Sequence, residues 1–207
     1  MKSRLWHMNA DFEVELAHHA SAPARPYRRT QAFAALNRRL SAQLLRLAAP
    51  GDALLAEEPW PEALISDARR RGVELVSARA RAAQAGRLFT PWGWTPTAAE
   101  AGERAGADVR ALPFDVVARV NSKLWSHALE VEMGWALAGA SVARAPAELS
   151  EAAARACPGA EDKWVVKSPY GFAARERVLG RGPRVGEAQM KWAARRFGRG
   201  EALVFQP

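Results

Sequence analysis

Short apolar runs alternate with helix-patterned segments through the first half of this chain. The runs at 4–8, 53–56 and 73–76 predict strands, and apolar residues recur at three- and four-residue steps between 33 and 47. Parallel strands cannot be joined by a tight turn and need crossover helices, which produce this alternation. The sequence therefore predicts an α/β fold, with a Rossmann-like parallel-sheet domain over residues 1–112.

Proline and glycine mark the helix ends in this half. Pro61 suits a first helical residue and Gly72 the position just past a helix end, so a helix is predicted between them. Gly106 ends a second predicted helix. The segment 90–96 is rich in proline and tryptophan, and we expect a rigid loop there.

A second pattern of elements follows Pro113, which breaks the first. The second domain is therefore predicted over residues 113–207. Its predicted helices cover 122–135, 146–156 and 186–197, and its predicted strands cover 164–167 and 202–205.

One lysine stands at the end of a predicted strand in a chain where lysine is scarce. Only five of the 30 basic residues are lysines, and Lys167 directly follows the apolar run 164–166. A loop with small residues and Arg175 comes next. Backbone N–H groups, an ammonium and a guanidinium all donate to anionic oxygens, so this arrangement predicts a polyphosphate site. The sequence thus points to ATP.

The stretch 164–178 resembles the ATP-grasp superfamily of ligases, in which a strand lysine and a mobile phosphate loop close over ATP. The segment around Lys123 resembles the earlier lysine segment of that family, and Lys123 and Lys167 stand 44 positions apart, which suits the family. The family often has a Gly-Arg pair in the loop where this chain has Ala174-Arg175, with Gly171 upstream.

The resemblance implies a pre-ATP-grasp domain followed by an incomplete α+β ATP-grasp lobe. It implies a carboxylate–amine or carboxylate–thiol ligase that works through an acyl phosphate, with ATP and Mg²⁺ as cofactors and the metal ligands outside this chain. It also implies that both lysines bind ATP phosphates beneath the loop 168–177. The residues expected to bind ATP are Lys123, Lys167, Ser168, Tyr170, Gly171, Arg175 and Gln206.

The final predicted strand resembles the one that leads into the adenine-contacting hinge of the family, with Gln206 where a glutamate is common. An apolar strand at the edge of a sheet usually needs covering. We therefore expect the 207-residue chain to be the N-terminal portion of a longer enzyme, inactive in isolation and prone to associate through this edge.

The net charge of +8 supports an alternative function without catalysis, a basic α/β module that binds nucleic acid or another polyanion. The arginine pairs, such as Arg28-Arg29 and Arg195-Arg196, fall in different predicted elements and form no single stripe. Nucleic acid is therefore not the expected partner. The ATP hypothesis predicts a preference for adenine nucleotide over duplex DNA.

The sequence lacks the motifs of several other classes of protein. The chain has no Walker A motif, no G-x-S-x-G and no zinc-ligand spacing, and Pro183 interrupts the glycine-rich run 180–186 where a dinucleotide fingerprint needs a helix opening. A lone Cys157, no apolar signal segment and no run of membrane-spanning length predict a cytoplasmic protein without a membrane partner.

Overall fold

The computed structural model describes residues 2–22, 24–79, 81, 84–171 and 175–207. The chain divides into two compact units. The first unit comprises the residues up to Glu15 together with Pro26–Val117, and the second comprises Leu16–Arg25 together with Ala118–Pro207. Each unit contains a four-stranded sheet, and the mixture of strands and helices confirms the α/β class.

The first unit is built on sheet A. Its strands are β1 (Arg4–His7), β2 (Ala53–Ala56), β3 (Glu74–Ser77) and β4 (Leu88–Pro91). All neighbouring strands run parallel, in the order β3-β2-β1-β4. Strand β2 is buried along its whole length, as parallel strands covered on both faces usually are. The predicted parallel sheet is thus confirmed.

Helices cover sheet A. They are α2 (Gln31–Leu44), α3 (Glu62–Arg71) and α4 (Pro96–Arg104), while α1 (Phe12–Ser21) and α5 (Phe114–Val120) cross the division between the units. Successive strand residues point to opposite faces, so Trp6 and Leu54 join one core cluster and Leu5 and Phe89 join another. None of the helices that the structure describes is long and apolar enough to cross a bilayer.

Two predictions for the first unit were wrong in detail. The expected loop 90–96 begins as strand, because Thr90 pairs with Trp6 and Pro91 with His7 in the β1–β4 ladder. Proline is tolerated there because β4 is an edge strand, where one side needs no ladder donors. Pro61 stands just before α3 as its N-cap rather than as its first residue.

The second unit is built on sheet B, which is antiparallel throughout. Its strands are β5 (Ser141–Ala143), β6 (Lys163–Lys167), β7 (Arg177–Arg181) and β8 (Leu203–Gln206). The order is β5-β8-β6-β7, so β8 is an interior strand with a partner on each side. The prediction that the last strand is an exposed edge was therefore wrong, and association through it loses its physical basis.

The helices of the second unit are α6 (Lys123–Glu132), α7 (Pro146–Ala156) and α8 (Glu187–Phe197). One face of sheet B carries the core, in which Trp164, Val166 and Phe205 pack with Leu149 of α7 and Ala193 of α8. Helix α7 has the predicted bounds. Helix α6 ends before the predicted Trp135, because Gly134 adopts a positive φ of 72°.

Candidate functional site

The hairpin β6–β7 places Lys167 at the mouth of the predicted phosphate loop. Lys167 stands opposite Arg177 at the last rung of the ladder, and the Ser168 N–H donates to the Glu176 carbonyl at 3.0 Å, which closes the base of the loop. Glu176 has a φ of 54°, a left-handed conformation that turns the chain back into β7. Residues 172–174 of the predicted loop lie outside the described residues.

The earlier lysine segment meets the same loop. Ser122 caps α6, accepting from the Leu124 N–H, and Lys123 is the first helical residue, within the predicted helix 122–135. The Lys123 backbone N–H donates to the Pro169 carbonyl, and its Nζ donates to the Gly171 carbonyl, both at 2.9 Å. The two lysine segments, far apart in sequence, are therefore joined at the loop that follows β6.

Lys167 and Gln206 are also brought together. The Lys167 Nζ donates to the Gln206 Oε1. Gln206 of β8 pairs with Val165, so it lies diagonally from Lys167 on the same face of the sheet. Because the acceptors of Lys123 and Lys167 in these bonds are a carbonyl and an amide, neither bond neutralises the ammonium charge.

Ser168 and Tyr170 make other contacts. Ser168 Oγ donates to Glu201 Oε2 at 3.0 Å, and Tyr170 Oη donates to the Ala118 carbonyl at 3.1 Å. Burial raises the pKa of the Tyr170 hydroxyl. Ser168 and Tyr170 line a cavity of about 210 Å³ together with Glu201, and the described residues around this cavity do not include either lysine. Arg175 is exposed.

The sheet face opposite the core carries two pairs of like charges. We call it the basic face, and its residues are Lys163, Val165, Lys167, Arg177, Leu179 and Arg181. Lys167 stands directly opposite Arg177, and Lys163 directly opposite Arg181. Like charges in directly opposite positions destabilise a sheet, and a bound anion would offset this repulsion. Between the two pairs, Val165 faces Leu179, whose side chain is 61% exposed.

Sequence reasoning did not single out Arg177 and Arg181 as candidate site residues. The available signal was the alternation in Arg177–Arg181, where exposed arginines flank an exposed leucine at a period of two. Arg181 also contacts Glu161 at 2.5 Å, so one of the two basic pairs already has a carboxylate beside it. The Lys167–Arg177 pair is accordingly the stronger candidate for a bound anion.

Within the described ranges, no group of three or more histidine, cysteine, aspartate or glutamate side chains is placed to hold a metal ion. A comparison of the chain with protein-family models and with curated proteins finds no match.

Proposed function

We propose that the second unit binds ATP through its polyphosphate, as the nucleotide-binding part of a ligase of the ATP-grasp type. The observation that carries the proposal is the Lys167–Arg177 pair at the mouth of a loop that Lys123 also contacts. Lys123 contacts this loop, and Lys167 and Arg177 stand at its two ends. Each of the three cationic groups can donate to anionic oxygen. A polyphosphate would relieve their mutual repulsion.

Each residue has a distinct part in this proposal. Lys167 and Arg177 contact phosphate oxygens, and Lys123 exchanges its bond to the Gly171 carbonyl for a bond to phosphate. Gln206 exchanges its bond to Lys167 for contact with the adenine base. The chain thereby positions the nucleotide and neutralises its charge, which are the main contributions of a protein to phosphoryl transfer.

The bound nucleotide would supply a phosphoryl group that activates a carboxylate for attack by an amine or a thiol. Among the described residues, no group of three or more histidine, cysteine, aspartate or glutamate side chains is placed to hold a metal ion, so no Mg²⁺ ligand is assigned to them. No step of the proposal is therefore routed through the metal.

Calorimetry on the Lys167→Met variant tests this function. Loss of a hydrogen bond to a charged group costs roughly 1.5–3 kcal/mol, so the affinity for ATP should fall by about 10- to 150-fold. Lys191→Met is the matched control, because Lys191 is an exposed lysine on α8 away from the basic face. Equal ATP affinity in the folded Lys167→Met variant and the control would remove Lys167 from the site.

A competition experiment separates nucleotide binding from general polyanion binding. The proposal predicts that ATP displaces a fluorescent ATP analogue at lower concentration than duplex DNA does, at two salt concentrations. Binding that weakens steeply with salt and favours duplex DNA would instead support a basic module without catalysis.

A further inference from the structure

We propose that the first unit carries a separate site for a small oxyanion, a carboxylate or a phosphate, at the carboxyl edge of sheet A. A cavity of about 290 Å³ opens there, and His7, Tyr27, Arg29, Arg79 and Arg104 are among the residues that line it. All of the lining residues that the structure describes belong to the first unit. The inference is therefore independent of the ATP proposal.

The position of the cavity is the first argument. His7 ends β1, Glu57 follows β2, and Arg79 follows β3 by two residues, so the cavity lies where parallel strands end. The strand order reverses beside β1, since β2 and β3 lie on one side of it and β4 on the other. Ligands of open α/β sheets bind in the crevice at such a reversal. The volume is at the lower end of the range for small-molecule pockets.

The charge of the lining is the second argument. Three guanidinium groups line the cavity, those of Arg29, Arg79 and Arg104, and Glu57 is the carboxylate among the described lining residues. Guanidinium groups match the geometry of carboxylate and phosphate oxygens and bind them through paired hydrogen bonds. Two of these guanidinium groups also meet a carboxylate outside the lining: Arg29 contacts Asp11 at 2.8 Å, and Arg104 lies 3.7 Å from Glu100. A guanidinium has five N–H donors, so both can still donate to a bound anion, as Arg79 can.

Arg29 is held in place before any ligand binds. Its Nε donates to Asp11 Oδ2 at 2.8 Å, and the same carboxylate accepts from Tyr27 Oη at 2.9 Å and from Asn37 Nδ2 at 2.8 Å. Asp11 is fully buried. Burial alone would raise the pKa of Asp11, but the bonds from Arg29 and Asn37 lower it below its usual value. A fixed arginine loses less freedom when it binds a ligand.

The N-terminus of α4 is not the anion-binding element. Thr97 lines the cavity, but its N–H donates to Glu15 Oε1 at 3.0 Å and its hydroxyl to Glu15 Oε2 at 2.6 Å. The buried Glu15 thus already meets the positive end of this helix. The arginines therefore carry the recognition of the ligand.

His7 adds an acceptor to the site. Its Nδ1 lies 3.4 Å from the Leu55 carbonyl, and a hydrogen on Nδ1 that donates to this carbonyl leaves Nε2 as an acceptor. Burial, and then the charge of Arg29, lower the pKa of His7 to about 4, so the ring is neutral near pH 7. With Glu57 also in the lining, the site suits an oxyanion that bears a hydroxyl or ammonium donor as well.

Binding of three probes to the intact chain tests this site. L-malate has carboxylates and a hydroxyl, inorganic phosphate is the second oxyanion tested, and glycerol has hydroxyls but no charge. We expect saturable binding of malate or phosphate by calorimetry, with shifts of the His7 ring signals in the NMR spectrum, and none with glycerol. The tighter of the two oxyanions identifies the chemistry of the natural ligand.

Variants locate the binding. Arg104→Gln and Arg79→Gln should each weaken the bound oxyanion by roughly tenfold or more, the scale of one lost charged hydrogen bond. Arg69→Gln, in the last turn of α3, is the control and should leave the affinity unchanged. ATP affinity should be unchanged in all three variants. The absence of saturable binding at about 10 mM of both oxyanions, or equal affinity in Arg104→Gln and the control, would overturn the proposal.

Discussion

Gly180 leaves just enough room for the Trp164 ring, and the substitution Gly180→Ala tests how tightly sheet B is packed. The two residues are direct partners in the β6–β7 ladder. A Cβ added at Gly180 would lie 2.0 Å from Cζ2, 2.2 Å from Cη2 and 2.3 Å from Cε2 of Trp164. Ordinary carbon contacts are about 3.5–4 Å, so the ring would have to move by more than about 1 Å.

Trp164 has little freedom to move. Its side chain is buried in the core of the second unit, and its Nε1 donates to the Gly182 carbonyl at 3.0 Å. Overpacking costs roughly 1–3 kcal/mol, and loss of the hydrogen bond about 0.5–1.5 kcal/mol. Alanine recovers about 0.4–1 kcal/mol by restricting the unfolded chain. The free energy of unfolding of the second unit should therefore fall by about 0.5–4 kcal/mol.

Hydrogen exchange followed by mass spectrometry in increasing urea measures this loss in peptides from β6 and β7, which separates the second unit from the first. Gly198→Ala is the matched control, because an added Cβ there would meet its nearest atom at an ordinary 3.4 Å and the residue has a helical φ of −63°. In a Trp164→Leu background, Gly180→Ala should lower the free energy of unfolding by less than it does when Trp164 is present. If Gly180→Ala and Gly198→Ala unfold at the same urea concentration, the steric argument is refuted.

Two further predictions concern the first unit. The pKa of His7 is lowered to about 4, so between about pH 6.5 and 4 the unfolded chain takes up a proton that the folded chain does not. The free energy of unfolding should therefore fall by about 3 kcal/mol as the pH is lowered across this window. Urea unfolding at both ends of the window should show a smaller pH dependence in His7→Gln, and an equal dependence would contradict the assignment. Asp52→Ala removes the acceptor of the Trp6 Nε1–H at 2.9 Å and of the Arg4 N–H at 2.8 Å, which should cost about 2–4 kcal/mol by urea unfolding. Asp67 is partly exposed and makes only surface ion pairs on α3, so Asp67→Ala, as control, should change stability little, and equal losses would contradict the role of Asp52.

Elements with strong local signals could be predicted from the sequence. The helix Pro146–Ala156 begins with a proline at its first position, and the strand Ala53–Ala56 follows a helix-breaking Pro-Gly pair, so both have the expected bounds. The residues of a strand do not show which other strands it will pair with. The position of β8 inside sheet B could therefore not be predicted, and the argument for an exposed edge failed for that reason.

In the candidate site, too, local features could be predicted and strand pairings could not. Lys167 was found because its place at a strand end is a local feature, and its contact with Gln206 depends on β6 and β8 being neighbours. The pairing of Lys167 with Arg177 required knowledge of the hairpin register. Strand β4 was missed since Thr90 and Pro91 suggest a turn, while the edge position in sheet A accommodates both.

The interior position of β8 has a consequence for the order of folding. The strands β6 and β7 follow one another in the chain and can pair early, whereas among the described residues β5 pairs only with β8, the last strand of sheet B in the chain. Closing a long loop has an entropic cost that slows such non-local pairing. Until β8 inserts, one side of β6 and both sides of β5 present unpaired backbone groups to any extended segment nearby. The second unit is therefore most exposed to misassembly in the interval before its final strand arrives.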